Sequence, residues 1–171
     1  MSKRDLKKYV TKLTKAQLEE QIIELYEKFK EVNTYYNFVF QPNENNLIKD
    51  AKLKIANEYF PIRGKRPKMR RSIAQKYVKH FITLGVDSYL IADVMLYAIE
   101  IAQVLTAEKT VTQELFYKSM LVTYQQAISF FMKEGILHDF KSRVVAINSE
   151  VLRQNWVNAY EFNAVIERFD Y

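Results

Sequence analysis

Apolar residues recur at alternating steps of four and three through the first part of the chain. The stripe consists of Leu18, Ile22, Leu25, Phe29, Val32 and Tyr36. This spacing places the residues on one face of an α-helix. Thr14 and Gln17 have the spacing of a capping box at the start of that helix. The pattern therefore predicts one long helix from about residue 14 to Phe40.

A second helix follows after a very short turn at Pro42-Asn43. Its apolar positions run from Ile48 to Tyr59, and Pro61 ends it because proline cannot continue a helix. Two helices joined by so short a turn should pack antiparallel. With a weak first helix near residues 2–10, residues 1–60 are expected to form an N-terminal helical hairpin.

The remaining residues, 68–171, are expected to form a helical core. A helix should begin between Pro67 and Ser72, with Ser72 as its cap, and should end at Gly85. Asp87 should cap the next helix, over about residues 88–107. That helix is apolar nearly all round, which is typical of a central position.

The last third of the chain predicts further helices. Thr110 or Thr112 should cap a helix that runs to Glu134 and is terminated by Gly135. Residues 136–169 contain no Gly or Pro. They predict either two helices with a break near residues 155–158 or one bent helix.

The composition supports this architecture. Only three Gly and three Pro occur in 171 residues, and 49% of the residues are hydrophobic. Such a composition argues against an all-β or disordered chain. The expected fold is all-α, a single-domain helical bundle of about seven or eight helices over residues 1–171, opening with a long antiparallel hairpin.

The charge of the chain is unevenly distributed. Residues 1–84 carry 19 basic and 9 acidic side chains, whereas residues 85–171 carry 7 basic and 11 acidic ones. The segment from Tyr59 to Val86 contains eight Lys and Arg residues and no Asp or Glu. Such asymmetry raises the expectation of a polyanionic partner.

These eight cations are the candidate anion-binding residues. They are Arg63, Lys65, Arg66, Lys68, Arg70, Arg71, Lys76 and Lys79. Basic residues near a helix N-terminus oppose the helix dipole, and a bound anion would relieve that conflict. A spread patch favours nucleic acid, bound with low sequence specificity, or an acidic protein surface. Alternatively, the acidic C-terminal half pairs with these residues inside the fold.

Candidate chemistry is sparse, and we predict no catalytic residue, metal site or cofactor. The chain contains no cysteine, and its two histidines, His80 and His138, are far apart in sequence. Asp93, Tyr97 and Glu100 share one face of the apolar helix. We expect Asp93 or Glu100 to pair with the basic helix. An enzyme would instead need these groups to meet a histidine or tyrosine in a cleft.

The rival to anion binding is a protein-interaction or assembly module. Its surface would be the aromatic corner Tyr35–Phe40 or the last helix, with Trp156, Tyr160 and Phe169. Residues 89–105 are apolar but interrupted by charged and amide side chains, so no membrane span is expected. The polar N-terminus lacks the apolar run of a signal peptide, and a cytoplasmic protein is expected.

Three segments of the chain resemble a bacterial family of uncharacterised proteins, catalogued as a domain of unknown function. The segments are Met1–Tyr9, Glu58–Pro61 followed by Lys68–Ser72, and Leu84–Asp87 followed by Tyr89–Met95. The resemblance covers most of the chain. It implies one small family domain and supplies no activity, cofactor or catalytic residue.

Overall fold

The computed structural model describes residues 2–62 and 66–168. Across these residues the chain forms nine α-helices and no strand, which confirms the all-α fold class. The helices are α1 (Lys3–Val10), α2 (Lys15–Lys28), α3 (Lys30–Phe40), α4 (Glu44–Tyr59), α5 (Arg71–Leu84), α6 (Ser88–Glu108), α7 (Glu114–Glu134), α8 (Leu137–Arg153) and α9 (Ala159–Glu167). They group into two compact units, residues 1–43 and residues 44–171.

The first unit corrects the prediction of one long helix over residues 14–40. The helix breaks at Phe29, whose φ of −119° and ψ of 114° are extended. Because of the break, the Tyr26 ring lies 6.4 Å from the Tyr36 ring, and the Tyr26 hydroxyl donates to Asn37 Oδ1 at 3.0 Å. In a continuous helix, residues 26 and 37 would stand roughly 16 Å apart. The predicted capping box at Thr14 is confirmed.

The second unit is organised around α6, which packs against α4, α5, α7 and α8. Its side chains are buried nearly all round, as the sequence predicts. By length and composition α6 could cross a membrane, with a mean hydropathy of 1.7 over its most apolar window, but 56% of that window is buried inside the protein. The same composition is typical of a central core helix.

Several helix ends lie where the sequence places them. Gly85 and Gly135, with φ of 76° and 74°, end α5 and α7 in the left-handed conformation. Asp87 caps α6 by accepting from the backbone N–H of Tyr89 and Leu90. The chain leaves α8 at Arg153 and resumes as α9, which confirms two helices near the C-terminus.

Two predicted caps are wrong. The N-cap of α5 is Arg70 rather than Ser72, and the N-cap of α7 is Gln113 rather than Thr110 or Thr112. Neither residue makes a side-chain cap hydrogen bond. The contacts of α4 assign it to the second unit. Its antiparallel packing against residues 14–40, and the predicted boundary after residue 60, stay predictions.

Candidate anion-binding groove

The basic loop before α5 is anchored to the end of α4 through a single residue. The Glu58 carbonyl accepts from the backbone N–H of both Lys68 and Met69 at 3.0 Å each. Met69 adopts a left-handed φ of 50°, which is uncommon for a residue other than glycine. The Glu58 carboxylate accepts from Nε and Nη2 of Arg70 at 2.8 Å each. The loop is therefore held by both its backbone and its charge.

Glu58 and Arg70 form a two-point ion pair with unequal exposure. The Glu58 side chain is 12% exposed and that of Arg70 is 51% exposed. The hydrogen bond from Arg70 lowers the pKa of Glu58 against the opposing effect of burial, and the charge of Lys68 lowers it further. Glu58 thus stays ionised, and its ion-pair partner is Arg70.

An open groove of about 590 Å³ runs between α4 and α5. Its walls are formed by Lys54, Asn57, Glu58, Arg70, Ile73, Lys76, Tyr77 and His80. A neighbouring hollow of about 240 Å³ is lined by Asn57, Glu58, Pro61, Ile62, Arg66, Lys68 and Arg70. The two share three residues, so they form one continuous surface, called here the cationic groove.

The charge of the cationic groove is strongly positive. Lys54, Arg66, Lys68 and Lys76 line it, and no carboxylate within residues 2–62 and 66–168 forms an ion pair with any of them. Among the described residues of its walls the one acid is Glu58, which pairs with Arg70. Four cations with no carboxylate ion-pair partner among the described residues therefore lie along one surface, an arrangement that favours polyanions.

Only part of the predicted basic cluster lies in this groove. Arg66, Lys68, Arg70 and Lys76 line it, whereas Lys79 is exposed on α5 outside it. Arg71 instead donates to Thr123 of α7. Arg63 and Lys65 lie outside the described residues.

Sequence reasoning missed Lys54, Asn57 and His80 as groove residues. A signal for the first two was present, because Lys54 and Asn57 lie off the buried stripe of α4 that ends at Tyr59. His80 follows Lys76 by one helical turn and so shares its face. What the sequence could not show is that this face of α4 lies beside α5.

Two acidic residues of α6, Asp93 and Glu100, are engaged elsewhere in the second unit. Arg143 of α8 donates to Asp93 Oδ1 at 2.8 Å and to both Glu100 oxygens at 2.5 and 2.7 Å. Lys52 of α4 adds a 2.5 Å ion pair to Asp93 and lies 5.0 Å from the centre of the Tyr97 ring. An ion pair was predicted for these acids, but its partners are α8 and α4 rather than the basic helix.

This cluster, called here the closed network, is internally balanced. Burial raises the pKa of Asp93, but the hydrogen bonds from Lys52 and Arg143 outweigh it, and the pKa is lowered. The Glu100 hydrogen bond chiefly raises the pKa of Arg143. Two carboxylates and two cations compensate one another, which leaves neither acid to neutralise the cationic groove.

The structure also bears on a metal site and on the last helix as an interaction surface. Across the described ranges, no three His, Asp or Glu side chains group closely enough to hold a metal ion. Trp156 is buried against the rings of Phe116, Tyr117 and Phe162. It therefore cannot serve in an exposed patch. Tyr160 is exposed, and Phe169 lies outside the described residues.

The chain belongs to a family of unknown function, DUF6155, whose model matches residues 1–170. This confirms the resemblance found in the sequence. No curated protein and no solved structure matches the chain. The family assignment covers nearly the whole protein and leaves its activity to be argued from the site.

Proposed function

We propose that the protein is a non-enzymatic module that binds an anionic polymer, most simply the phosphate backbone of a nucleic acid. The observation that carries this proposal is the cationic groove. Lys54, Arg66, Lys68 and Lys76 line it, and no carboxylate in the described part of the chain pairs with them. Phosphates would supply the missing negative charge.

The extent of the groove favours a polymer over a single small anion. The ion pair of Glu58 and Arg70 separates a Lys54–Lys76 end from an Arg66–Lys68 end. A single phosphate would reach one end and leave the other uncompensated. Successive phosphates of one strand can reach both, and release of their counterions drives binding.

Low sequence specificity follows from the type of side chain in the groove. Three of its four uncompensated cations are lysines, which act as point charges on flexible stems and read phosphate rather than base edges. Arg70 has the bidentate geometry suited to a base edge, but Glu58 occupies that face. The groove therefore fits backbone recognition.

The test is binding of labelled single- and double-stranded DNA and RNA at low salt, measured by fluorescence anisotropy. The groove variant carries Arg66→Ala, Lys68→Ala and Lys76→Ala. The control variant carries Lys109→Ala, Lys118→Ala and Lys133→Ala, which removes the same charge from positions that do not line the groove.

The groove variant should bind at least about tenfold more weakly than the control variant, because three phosphate contacts are lost. Equal weakening in both variants would mean that only net charge matters. Absence of binding by the unaltered protein at low salt would refute the proposal outright.

A second candidate is an assembly module that uses the aromatic corner Tyr35–Phe40. Tyr35 is 43% exposed and Phe40 is 74% exposed, and none of the described residues of α1–α3 is buried. Neighbouring exposed aromatic side chains such as these are typical of interaction surfaces. Sedimentation should then show self-association that Phe40→Ser removes. A monomer at high concentration would count against this candidate.

A further inference from the structure

The cationic groove also carries an apolar surface, which is contributed by α5. Ile73, Tyr77, Phe81 and Leu84 follow one another at the spacing of a single helix face. Phe81 and Leu84 are buried in the core, whereas Ile73 and Tyr77 are partly exposed and line the groove. The apolar stripe of α5 therefore continues out of the core and into the groove.

Two rings in this part of the groove rest on the core. The Tyr77 and His80 rings lie 6.0 Å and 6.1 Å from the ring of Phe81, which is buried. Rings at such separations are in contact. Lys76 and His80 each follow a member of the Ile73–Tyr77 row by three positions, and positions three apart are neighbours on a helix surface. An apolar row therefore lies directly beside a row that carries a cation.

The other end of the groove has the same combination of side chains. Ile62 is 71% exposed and, together with Pro61, lines the hollow that also contains Arg66 and Lys68. Phosphates are bound by cations and hydrogen-bond donors, so a surface that held only a sugar–phosphate backbone would make no use of apolar side chains. Both ends of the groove thus combine cations with apolar groups.

We propose that the anionic polymer is single-stranded nucleic acid, whose unpaired bases stack on Tyr77 and His80 while its phosphates bind the groove cations. The inference rests on polymer binding by the cationic groove and adds the class of nucleic acid. Proteins that bind single strands without sequence preference combine a basic groove with aromatic side chains on which bases stack. In a duplex the bases stack on one another and present only their edges, so these rings would have no base face to contact.

The larger part of the groove has room for an unpaired base. Its volume of about 590 Å³ lies within the range of pockets that hold drug-sized ligands, and a nucleotide is of that size. Asn57 lines this space with an exposed side chain, whose amide can both donate to and accept from a base edge. Because every base has a face that can stack, sequence preference remains low.

The competing role for Tyr77 is packing against Phe81 without any part in binding. A packing residue does not contact bases, so its loss would weaken binding of every nucleic acid alike or of none. A stacking residue affects only those polymers that present unpaired bases. The two roles therefore differ in a property that binding experiments can measure.

The experiment compares three ligands by fluorescence anisotropy at one low salt concentration. They are a single-stranded dT oligomer, an abasic strand with the same number of phosphates, and a DNA duplex of the same length. The unaltered protein should bind the dT oligomer at least about tenfold more tightly than either of the others, because stacking of one base contributes about that factor or more.

Substitutions of Tyr77 assign the preference to its ring. Tyr77→Leu keeps an apolar side chain against Phe81 and should bind the dT oligomer about tenfold more weakly, with unchanged binding of the abasic strand. Tyr77→Phe keeps the ring and should bind like the unaltered protein. The matched control is Tyr160→Leu, which removes an exposed tyrosine of α9 that does not line the groove, and it should also leave binding unchanged.

The possible failures separate this inference from polymer binding itself. Equal affinity of the unaltered protein for all three ligands, with weaker binding of all three by the groove variant, would overturn the preference for single strands and leave polymer binding intact. Unchanged dT binding by Tyr77→Leu, or equal weakening for the dT oligomer and the abasic strand, would overturn stacking on Tyr77. Absence of binding to all three ligands would refute polymer binding, and this inference with it. The comparison of ligands remains decisive even if Tyr77→Leu does not fold.

Discussion

The closed network and the cationic groove use the same residue types in opposite ways. In the closed network Arg143 and Lys52 are fully matched by Asp93 and Glu100. In the cationic groove, four cations surround a single ion pair. The contrast is sharpest on α4, where Lys52 joins the network and Lys54 joins the groove. Two positions on a helix differ by roughly 200° around its axis. The face of a helix, rather than local composition, therefore decides whether a charge is structural or available.

The largest effect is expected from breaking the closed network. Arg143→Met removes the cation that joins two carboxylates, and the side chains of all three residues are about one-third exposed or less. Asp93 would retain Lys52, but Glu100 would lose its ion pair. We expect the free energy of unfolding to fall by about 2 kcal/mol in urea denaturation. The reason is that the partly buried Glu100 carboxylate would have no ion-pair partner and would lie near the Asp93 carboxylate.

A matched control for that variant is Arg153→Met. Arg153 pairs with Glu150 but is 66% exposed, so its loss should change the free energy of unfolding by no more than about 0.5 kcal/mol. Equal effects of the two substitutions would contradict the distinction between a structural network and surface ion pairs.

A smaller effect is expected at the one ion pair inside the groove. Glu58→Gln removes the acid that neutralises Arg70, so stability should fall by about 1 kcal/mol. Affinity for nucleic acid should rise severalfold, because the groove gains a free cation and its described walls lose their one acid. Glu150→Gln, which releases Arg153 outside the groove, is the control and should leave the affinity unchanged. A fall in affinity for Glu58→Gln would contradict the assignment of the groove cations as available for binding.

The smallest effect is a pH dependence carried by Asp93. Its pKa is lower in the folded protein than the ordinary value of 3.8. Its contribution to stability is therefore complete above about pH 5 and is lost as the pH falls through the lowered folded value. In a plot of unfolding free energy against pH, Asp93→Asn should reduce the fall in stability below about pH 5. An unchanged acid limb in the variant would show that Asp93 does not act as an ion-pair partner.

The sequence predicts those features of the fold that depend on residues close together in the chain. The capping box at Thr14 and the left-handed glycines at Gly85 and Gly135 are set by a few neighbouring residues, and they are confirmed. The break at Phe29 was missed because the apolar stripe continues through it. The break lets Tyr26 contact Tyr36 and Asn37, and periodicity does not encode such a contact.

The candidate site was predictable only as a segment. The density of basic residues located the loop. It could not show that the neighbouring residues Arg70 and Arg71 have different partners, Glu58 for Arg70 and Thr123 of α7 for Arg71. Lys54 joins the groove from a helix that composition did not single out. Partners distant in sequence, such as Arg143 for Asp93, depend on tertiary packing and carry no local signal.

The most direct test of the central claim is the salt dependence of nucleic-acid binding. For duplex DNA, the logarithm of the association constant falls against the logarithm of salt concentration with a slope of about −0.9 per phosphate neutralised. Four groove cations predict a slope of about −3.6 for the unaltered protein. The variant without Arg66, Lys68 and Lys76 should have a slope near about −1, and the control variant should keep the original slope. Identical slopes for all three proteins would contradict the assignment of the groove as the polyanion-binding surface.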